Sequence, residues 1–260
     1  MNYLLFRLYG PMASWGEIAL GENRHSASYP GKSAILGLLG AALGIRRGDE
    51  SSQQALAQDY SIAVKQVSAG GFLMDYHTAQ APKNEAKGFH FRTRRDEIVL
   101  GKKPLGTVLS SREYRTDALA IVAIRASEQA YWSLQQLQQA LLKPMFHLYL
   151  GRKACPLAAP LQPELMEAEG FLKALTDYQP KELLSREYDW ATDERFLKKD
   201  NACHYYWQGK LTDFAQPDEV PASQVHQLVR HDQPLSRRRW QFQPRKENLW
   251  LQQLTVREDS

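Results

Sequence analysis

The chain has 260 residues, with 33 Lys+Arg against 29 Asp+Glu and a formal net charge of +4. Its 43% hydrophobic and 24% charged residues are ordinary globular values, which exclude global disorder, a collagen-like repeat and a coiled coil. No apolar stretch approaches the roughly 20 residues of a membrane span, no basic region precedes the apolar start at 1–7, and two cysteines, Cys155 and Cys203, suit a reducing, cytoplasmic setting rather than a disulfide framework.

Residues 3–9 predict a strand, with Leu4, Phe6 and Leu8 on one face and Tyr3, Leu5, Arg7 and Tyr9 on the other. Residues 33–44 predict a helix on the spacing of Ile35, Leu38, Leu39 and Ala42, with Ser33 as its cap. Gly37, Gly40 and Gly44 each cost about 1 kcal/mol against Ala in such a helix, so another backbone is expected close to one side. Strands are expected at 60–67 and, after Gly70-Gly71, at 72–76. A polar excursion follows over 79–111, and a strand returns at 118–126. Residues 128–142 predict an amphipathic helix that buries Ala130, Leu134, Leu137 and Leu141 and stops at Pro144. A short strand is expected at 145–150.

This β-α-β-β-α-β order predicts an α+β chain with a ferredoxin-like palm, the scaffold also of the RNA-recognition motif. The excursion reads as a long β-hairpin thumb inserted at about 79–115 of a palm over 1–150. Residues 151–260 read as a smaller β-rich C-terminal part, with a helix at 164–176 and strands at 203–208, 225–230, 238–243 and 249–256.

Charge concentrates unevenly. Residues 83–115 hold nine cations (Lys83, Lys87, Arg92, Arg94, Arg95, Lys102, Lys103, Arg112, Arg115) against four acids (Glu85, Asp96, Glu97, Glu113). Phe89, His90, Phe91 and Tyr114 are interleaved with them, a mixture that suits phosphate contacts and base stacking on single-stranded nucleic acid. The run 89–95 alternates aromatic and basic residues, as a projecting hairpin arm does. Gly31-Lys32-Ser33 opens the first helix, but Ser26 stands where a P-loop needs its first glycine, so ATP or GTP binding is rejected. The helix start with Lys32 and Ser33, approached by Arg24, His25 and Tyr29, still makes an anion site. Gly151-Arg152-Lys153 and Arg237-Arg238-Arg239-Trp240, the latter with Phe242, Arg245 and Lys246, are two further basic clusters. No metalloprotease, Cys-x-x-Cys or nucleophile-elbow motif is present, and no metal or cofactor is expected. His25, His77 and His90 near lysines leave metal-free ribonuclease chemistry open.

Several stretches point to a family. They are Leu-Tyr-Gly-Pro-Met-Ala-Ser-Trp-Gly at 8–16, Tyr-Pro-Gly-Lys-Ser-Ala-Ile-Leu-Gly-Leu-Leu-Gly-Ala-Ala-Leu-Gly-Ile at 29–45, Asp-Tyr-His-Thr at 75–78, Ser-Arg-Glu-Tyr at 111–114 and Tyr-Leu-Gly-Arg-Lys-Ala-Cys-Pro-Leu at 149–157. Leu-Lys-Pro at 142–144 and Arg-His-Asp-Gln-Pro at 230–234 add to them. Together they resemble the subtype I-E form of the fifth CRISPR-associated protein family. The resemblance implies a non-catalytic subunit of Cascade, the antiviral surveillance complex, that caps its backbone and holds the 5′ handle of CRISPR RNA. The implied partners are CRISPR RNA, the neighbouring backbone subunit, the large subunit and, through the complex, target DNA; no membrane is involved. The candidates for RNA contact are Trp15, Arg24, His25, Tyr29, Lys32, Ser33, Tyr76, His77, Phe89, Arg92, Arg94, Arg95, Arg112, Gly151, Arg152 and Lys153, with Trp15, Tyr29 and Tyr76 as base-stacking rings. Subtype I-C relatives imply the alternative, a metal-independent endoribonuclease that processes CRISPR precursor RNA.

Overall fold

The computed structural model describes residues 1–19, 21–83, 90–99, 105–182 and 200–253. Strand β1 (Asn2–Tyr9) is buried on both faces, as its two-sided apolar pattern requires. Leu4, Phe6 and Leu8 enter one core and Tyr3 and Leu5 the other. Arg7, on the second face, is also buried, and its guanidinium donates to the carbonyls of Pro160 and Lys181.

Two short pieces, β2 (Trp15–Gly16) and β4 (Ser26–Ala27), pair with each other, and β3 (Asn23–Arg24) lies between them in sequence. Helix α1 (Lys32–Leu43) follows. Its N-cap is Gly31, so the expected cap Ser33 instead lies inside the first turn. The expected close backbone lies only at the end of the helix, where residues 145–146 bond to it next to Gly44, while Gly37 and Gly40 face side chains. A side chain at Gly37 would meet the Arg237 guanidinium at 3.5 Å, and one at Gly40 the Leu56 methyl at 3.6 Å. Gly44 closes the helix at φ +79°, the left-handed C-cap that favours glycine. A second helix, α2 (Glu50–Asp59), was not expected from the sequence. It is capped by Asp49, which accepts from Ser52 N–H at 3.1 Å, and buries only Leu56 and Ala57.

Strand β5 (Tyr60–Ser68) leads into the hairpin β6 (Gly71–Pro82) and β7 (Leu105–Thr116), with the one-turn helix α3 (Arg94–Ile98) between them in sequence. The hairpin starts at Gly71, earlier than the predicted excursion, because the run at 72–76 pairs with β7. Strand β8 (Leu119–Ala126) returns to the sheet, and α4 (Leu134–Leu142) packs Leu134, Leu137 and Leu141 against it, closed by a Ser133–Gln136 capping box.

The predicted strand at 145–150 does not form. The amides of Met145 and Phe146 instead donate to the carbonyls of Ala42 and Ala41 in the last turn of α1, the second of which also accepts the Gly44 N–H. The neighbour of β1 is β9 (Glu164–Glu167), taken from the front of the predicted helix, of which α5 (Phe171–Asp177) remains. Strands β10 (Ala202–Trp207), β11 (His226–Ser236) and β12 (Gln241–Gln253) extend the same sheet, and a single helical turn, Leu211–Phe214, covers β10. The order is β11-β12-β10-β5-β8-β1-β9, with every pair antiparallel. The chain is therefore a mixed α+β protein with helices on both faces of a seven-stranded sheet. The first core lies under α1, α2 and α4, and the second under α5 and the 211–214 turn.

Leu137 is fully buried in the first core. Leu137→Ala is expected to lower the unfolding free energy in urea by about 2–5 kcal/mol through the cavity it leaves. Ser133→Ala, which removes only the cap, is expected to cost about 1 kcal/mol.

Candidate nucleic-acid interface

The hairpin pairs over its whole length, from Gly71↔Thr116 to Pro82↔Leu105. No residue of β6 is buried, and on β7 only Tyr114 is. Phe72, Met74, Tyr76 and Val108 are all more than half exposed. A two-stranded ribbon without a buried apolar face is marginal in water, so the anchoring of its base matters.

That anchor is built around Glu113. One carboxylate oxygen lies 2.7 Å from Nδ1 of His25, and the other accepts the Ser26 N–H at 3.0 Å. Its own carbonyl accepts the Ser14 hydroxyl at 2.9 Å. Desolvation works against the charge of Glu113, but the bonds from Ser26 and His25, with Arg115 nearby, outweigh it and hold the carboxyl below its usual range. The clasp lets β3 join β7 in parallel, with Asn23 opposite Ser111 and Arg24 opposite Arg112. Gly151 packs its backbone onto the Ser14 carbonyl at φ +84°, a conformation and a closeness that require glycine. Arg152 then lies with its guanidinium 4.8 Å from the Tyr114 ring centroid and within 3.4 Å of the Arg24 carbonyl.

Arg24, His25, Arg112, Gly151 and Arg152 therefore converge at the hairpin base, with Lys153 exposed beside them. Strand alternation puts Arg24 and Arg112 on one face of the three-stranded sheet and His25, with Glu113, on the other. No described carboxylate lies within 4 Å of the charged groups of Arg24, Arg112, Arg152 or Lys153. One terminal nitrogen of Arg152 is buried without a hydrogen-bond partner. Tyr76 and His77 are exposed further along β6, opposite Ser111 and Ser110.

Trp15 and Tyr29 do not offer ring faces to a base, because each is only 5% exposed. Aromatic rings beside cations read alike in a core and on a surface. Tyr29 stacks on Tyr206 at 3.5 Å with 10° between the rings, and its hydroxyl donates to Glu247. Burial, with Glu247 beside it, pushes that hydroxyl far above its usual pKa. The expected alternating arm at 89–95 is not a strand where it is described. Residues 94–98 are helical, closed by a Thr93–Asp96 capping box, and Arg94 is held by Glu97 and the Gln80 carbonyl. Arg92, Arg94 and Arg95 are exposed there, and Phe89 lies outside the described residues.

Lys32 and Ser33 form a separate place. Asp232 packs against Gly31, so the start of α1 already faces an acid of the chain itself. Arg245 binds Asp232 at 2.6 and 3.1 Å and Glu247 at 2.6 Å, and Arg230 binds Glu17 at 2.6 Å. Burial works against the charge of Arg245, but its two carboxylates more than offset that and raise its pKa. This network has a sequence signal that can be read only once the strands are known: Arg230/Asp232 and Arg245/Glu247 are opposite charges two apart, on one face of each strand. Lys32, 8% exposed, reaches only the Gln208 side chain, at 3.3 Å, and lines a polar groove of about 690 Å³ with Arg245, Lys246, Gln208, Gln233, Gln243 and Asn248. Burial, and secondarily Arg245, lowers the Lys32 ammonium to about 8, with Asp232 opposing the shift. Among the described residues, no group of three or more His, Cys, Asp or Glu side chains is placed to hold a metal ion, and no helix is long and apolar enough to cross a membrane.

The sequence and the fold were compared with known proteins. The family model described as CRISPR-associated protein (Cas_Cas5) matches residues 3–246. The chain is 37% identical over 188 residues to the CRISPR system Cascade subunit CasD of Escherichia coli (strain K12), across 69% of this chain and 78% of that one. Its fold is similar to a chain of a solved CRISPR RNA-guided surveillance complex, with a TM-score of 0.62 and 24% identity over 96% of this chain and 88% of the other. A second structure, described as a Cas protein, gives a TM-score of 0.57 at 22% identity over 96% and 95% of the two chains. A family match that spans nearly the whole sheet and the hairpin, joined to a relative at this identity, means that the chain belongs to the Cas5 family of CRISPR-associated proteins.

Proposed function

We propose that the protein is the RNA-binding subunit of a Cascade-type surveillance complex, where it holds the 5′ handle of CRISPR RNA and caps the backbone of the complex. Its partners in this reading are CRISPR RNA, the neighbouring backbone subunit, the large subunit and, through the complex, target DNA, all in the cytoplasm. The relative named as a Cascade subunit supports the assignment. The observation that carries it to particular residues is the convergence of Arg24, Arg112 and Arg152 at the root of a hairpin that buries almost nothing, with Asp75 opposite Arg112 but no described carboxylate within 4 Å of the three guanidinium groups. Cations in that arrangement suit phosphates, and the exposed rings of Phe72 and Tyr76 suit splayed bases or a neighbouring subunit.

The strand order β9-β1-β8-β5, with helices after β1 and β8, supports a ferredoxin-like palm within residues 1–150 that borrows its last strand from the following part. The β6–β7 hairpin, which begins at Gly71 and takes in the insertion at about 79–115, is the proposed thumb. Residues 151–260 are the proposed smaller part, here joined to the palm edge through β10. The role is non-catalytic in this reading. His25 bonds Glu113 through Nδ1, a contact that anchors the hairpin but leaves Nε2 available, so the absence of cleavage is a matter for assay. Incubation of the purified chain with repeat RNA in EDTA is expected to leave the RNA intact, and a single defined cut would establish the endoribonuclease instead.

Arg112→Glu/Arg152→Glu is expected to weaken binding of a handle-containing RNA roughly tenfold or more and to lower the salt slope by about 0.7 for each phosphate that is no longer neutralised. Fluorescence anisotropy over a salt series measures both, and unchanged affinity and slope would remove the hairpin base from the RNA path.

Lys32 gives a pH signature. In this reading the RNA also passes the groove that Lys32 lines, so loss of the ammonium proton as pH rises through about 8 is expected to lower RNA affinity between pH 7 and 9. Lys32→Arg, which stays charged, flattens the profile. Folding stability runs the other way. The unfolded chain keeps this proton up to about 10.4, so stability rises with pH across that window and is lost as pH falls through about 8.

A further inference from the structure

The turn that joins β11 to β12 has a chemistry that the hairpin base does not use. Arg237, Arg238, Arg239 and Trp240 form it, with Trp240 at φ +57° and 60% exposed. Arg46 and Arg47, which follow α1, lie on the surface, and Nε of Arg47 donates to the Arg237 carbonyl at 2.9 Å. The Arg47 guanidinium sits 4.6 Å from the Trp240 ring centroid, and Phe242 meets the indole edge-on at 5.4 Å. Arg237 is tucked inward against the Ser33 carbonyl, and its Nε is buried without a partner. Burial and the like charge of Arg47 both work against its guanidinium and lower its pKa.

No described carboxylate lies within 4 Å of any of these five arginines. The nearest acid in the bonding network, Glu50, accepts the Ser236 hydroxyl. Like charges held together without acids repel one another, and a polyanion relieves that repulsion. An acidic peptide would neutralise the arginines but leave the indole uncovered. A duplex keeps its bases stacked away from an outside ring. A single strand supplies both a phosphate chain and free base faces, and alanine substitution shows that stacking on an aromatic ring contributes substantially to such binding. We propose that this turn is a second contact for a single-stranded polynucleotide, separate from the hairpin base, in which Trp240 stacks on one base while Arg238 and Arg239 hold the flanking phosphates. The same chemistry fits RNA and DNA.

The test uses the full chain and fluorescent oligouridylate and oligodeoxythymidylate of about 10 nucleotides, within the usual span of such sites. Anisotropy is measured between about 50 and 200 mM salt, in the natural background and in Arg112→Glu/Arg152→Glu. Arg238→Glu/Arg239→Glu is expected to weaken binding roughly tenfold and to lower the salt slope by about 1.4, the single-strand value for two phosphates, in both backgrounds. Trp240→Ala is expected to weaken binding roughly five- to tenfold with the salt slope unchanged, because it removes stacking and no charge. These side chains are exposed, so thermal melting followed by circular dichroism should match the natural chain. Tighter binding of one oligonucleotide names the source, and equal binding supports a contact made through phosphates and base faces alone. Unchanged affinity in both backgrounds overturns the proposal, as does equal displacement of the oligonucleotide by polyglutamate. Weakened binding at the turn with no weakening at the hairpin base supports the turn and counts only against the proposed handle site.

Discussion

The carboxylate of Glu113 is the point on which the candidate surface depends. It lies on β7 and reaches two successive residues of another segment, His25 and Ser26. Those bonds fix the short strand β3 beside the hairpin and bring Arg24 level with Arg112. Ser26 in turn accepts the Trp15 N–H through its hydroxyl, and Ser14 returns a hydroxyl bond to the Glu113 carbonyl. Gly151 rests on that same Ser14 carbonyl and delivers Arg152. One acid thus organises three basic residues from three segments. It does so without neutralising them, because its two oxygens are already taken by His25 and a backbone amide.

The molecule sorts its cations by whether a carboxylate binds them. Arg7, Arg24, Arg152 and Arg237 reach backbone carbonyls, while Arg230 and Arg245 are buried or nearly so and are bound to carboxylates. Buried charges of this kind persist only when their hydrogen bonds are met. Arg24, Arg112 and Arg152 at the hairpin base, and Arg237 to Arg239 at the last turn, have no described carboxylate within 4 Å, although Asp75 stands opposite Arg112 on the hairpin. A net charge of +4 hides this sorting, because a total does not record which acids bind which cations.

The sequence made some of this legible and concealed the rest for identifiable reasons. The two-sided pattern of β1 and the spacing of α1 and α4 came through because each buries its apolar face in the manner its period implies. Helix α2 was missed because Glu50–Asp59 carries only two buried apolar residues among serines and glutamines. Residues 145–150 look like a strand by composition, but the amides of Met145 and Phe146 bond to carbonyls in the last turn of α1 and that of Leu150 to Cys155. Trp15 and Tyr29 looked like stacking rings because composition cannot tell a buried aromatic beside a salt-bridge network from an exposed one. The cluster of Arg24, Arg112 and Arg152 was legible only as separate basic residues, since a parallel bridge between residues 88 apart leaves no local signal.

A long hairpin that buries no apolar face of its own is costly to hold in one orientation. Ordering each backbone residue costs on the order of 1–2 kcal/mol in entropy, and the hairpin recovers little of it through burial. What fixes the hairpin is therefore concentrated at its base, in the Glu113 bonds and the Gly70 turn, whose left-handed backbone packs against the Thr116 carbonyl. The far end is held mainly by its cross-strand ladder and by the Arg94 contact to Gln80. An arm built this way has its side-chain bonds to the rest of the chain gathered where the arginines meet and a backbone ladder beyond. That division suits a subunit that grips a polyanion at one place and adapts to a neighbour along the rest. The same acid-poor clustering that favours the polyanion leaves the cations repelling one another in the free chain, so binding and the stability of the site rise together when the phosphates arrive.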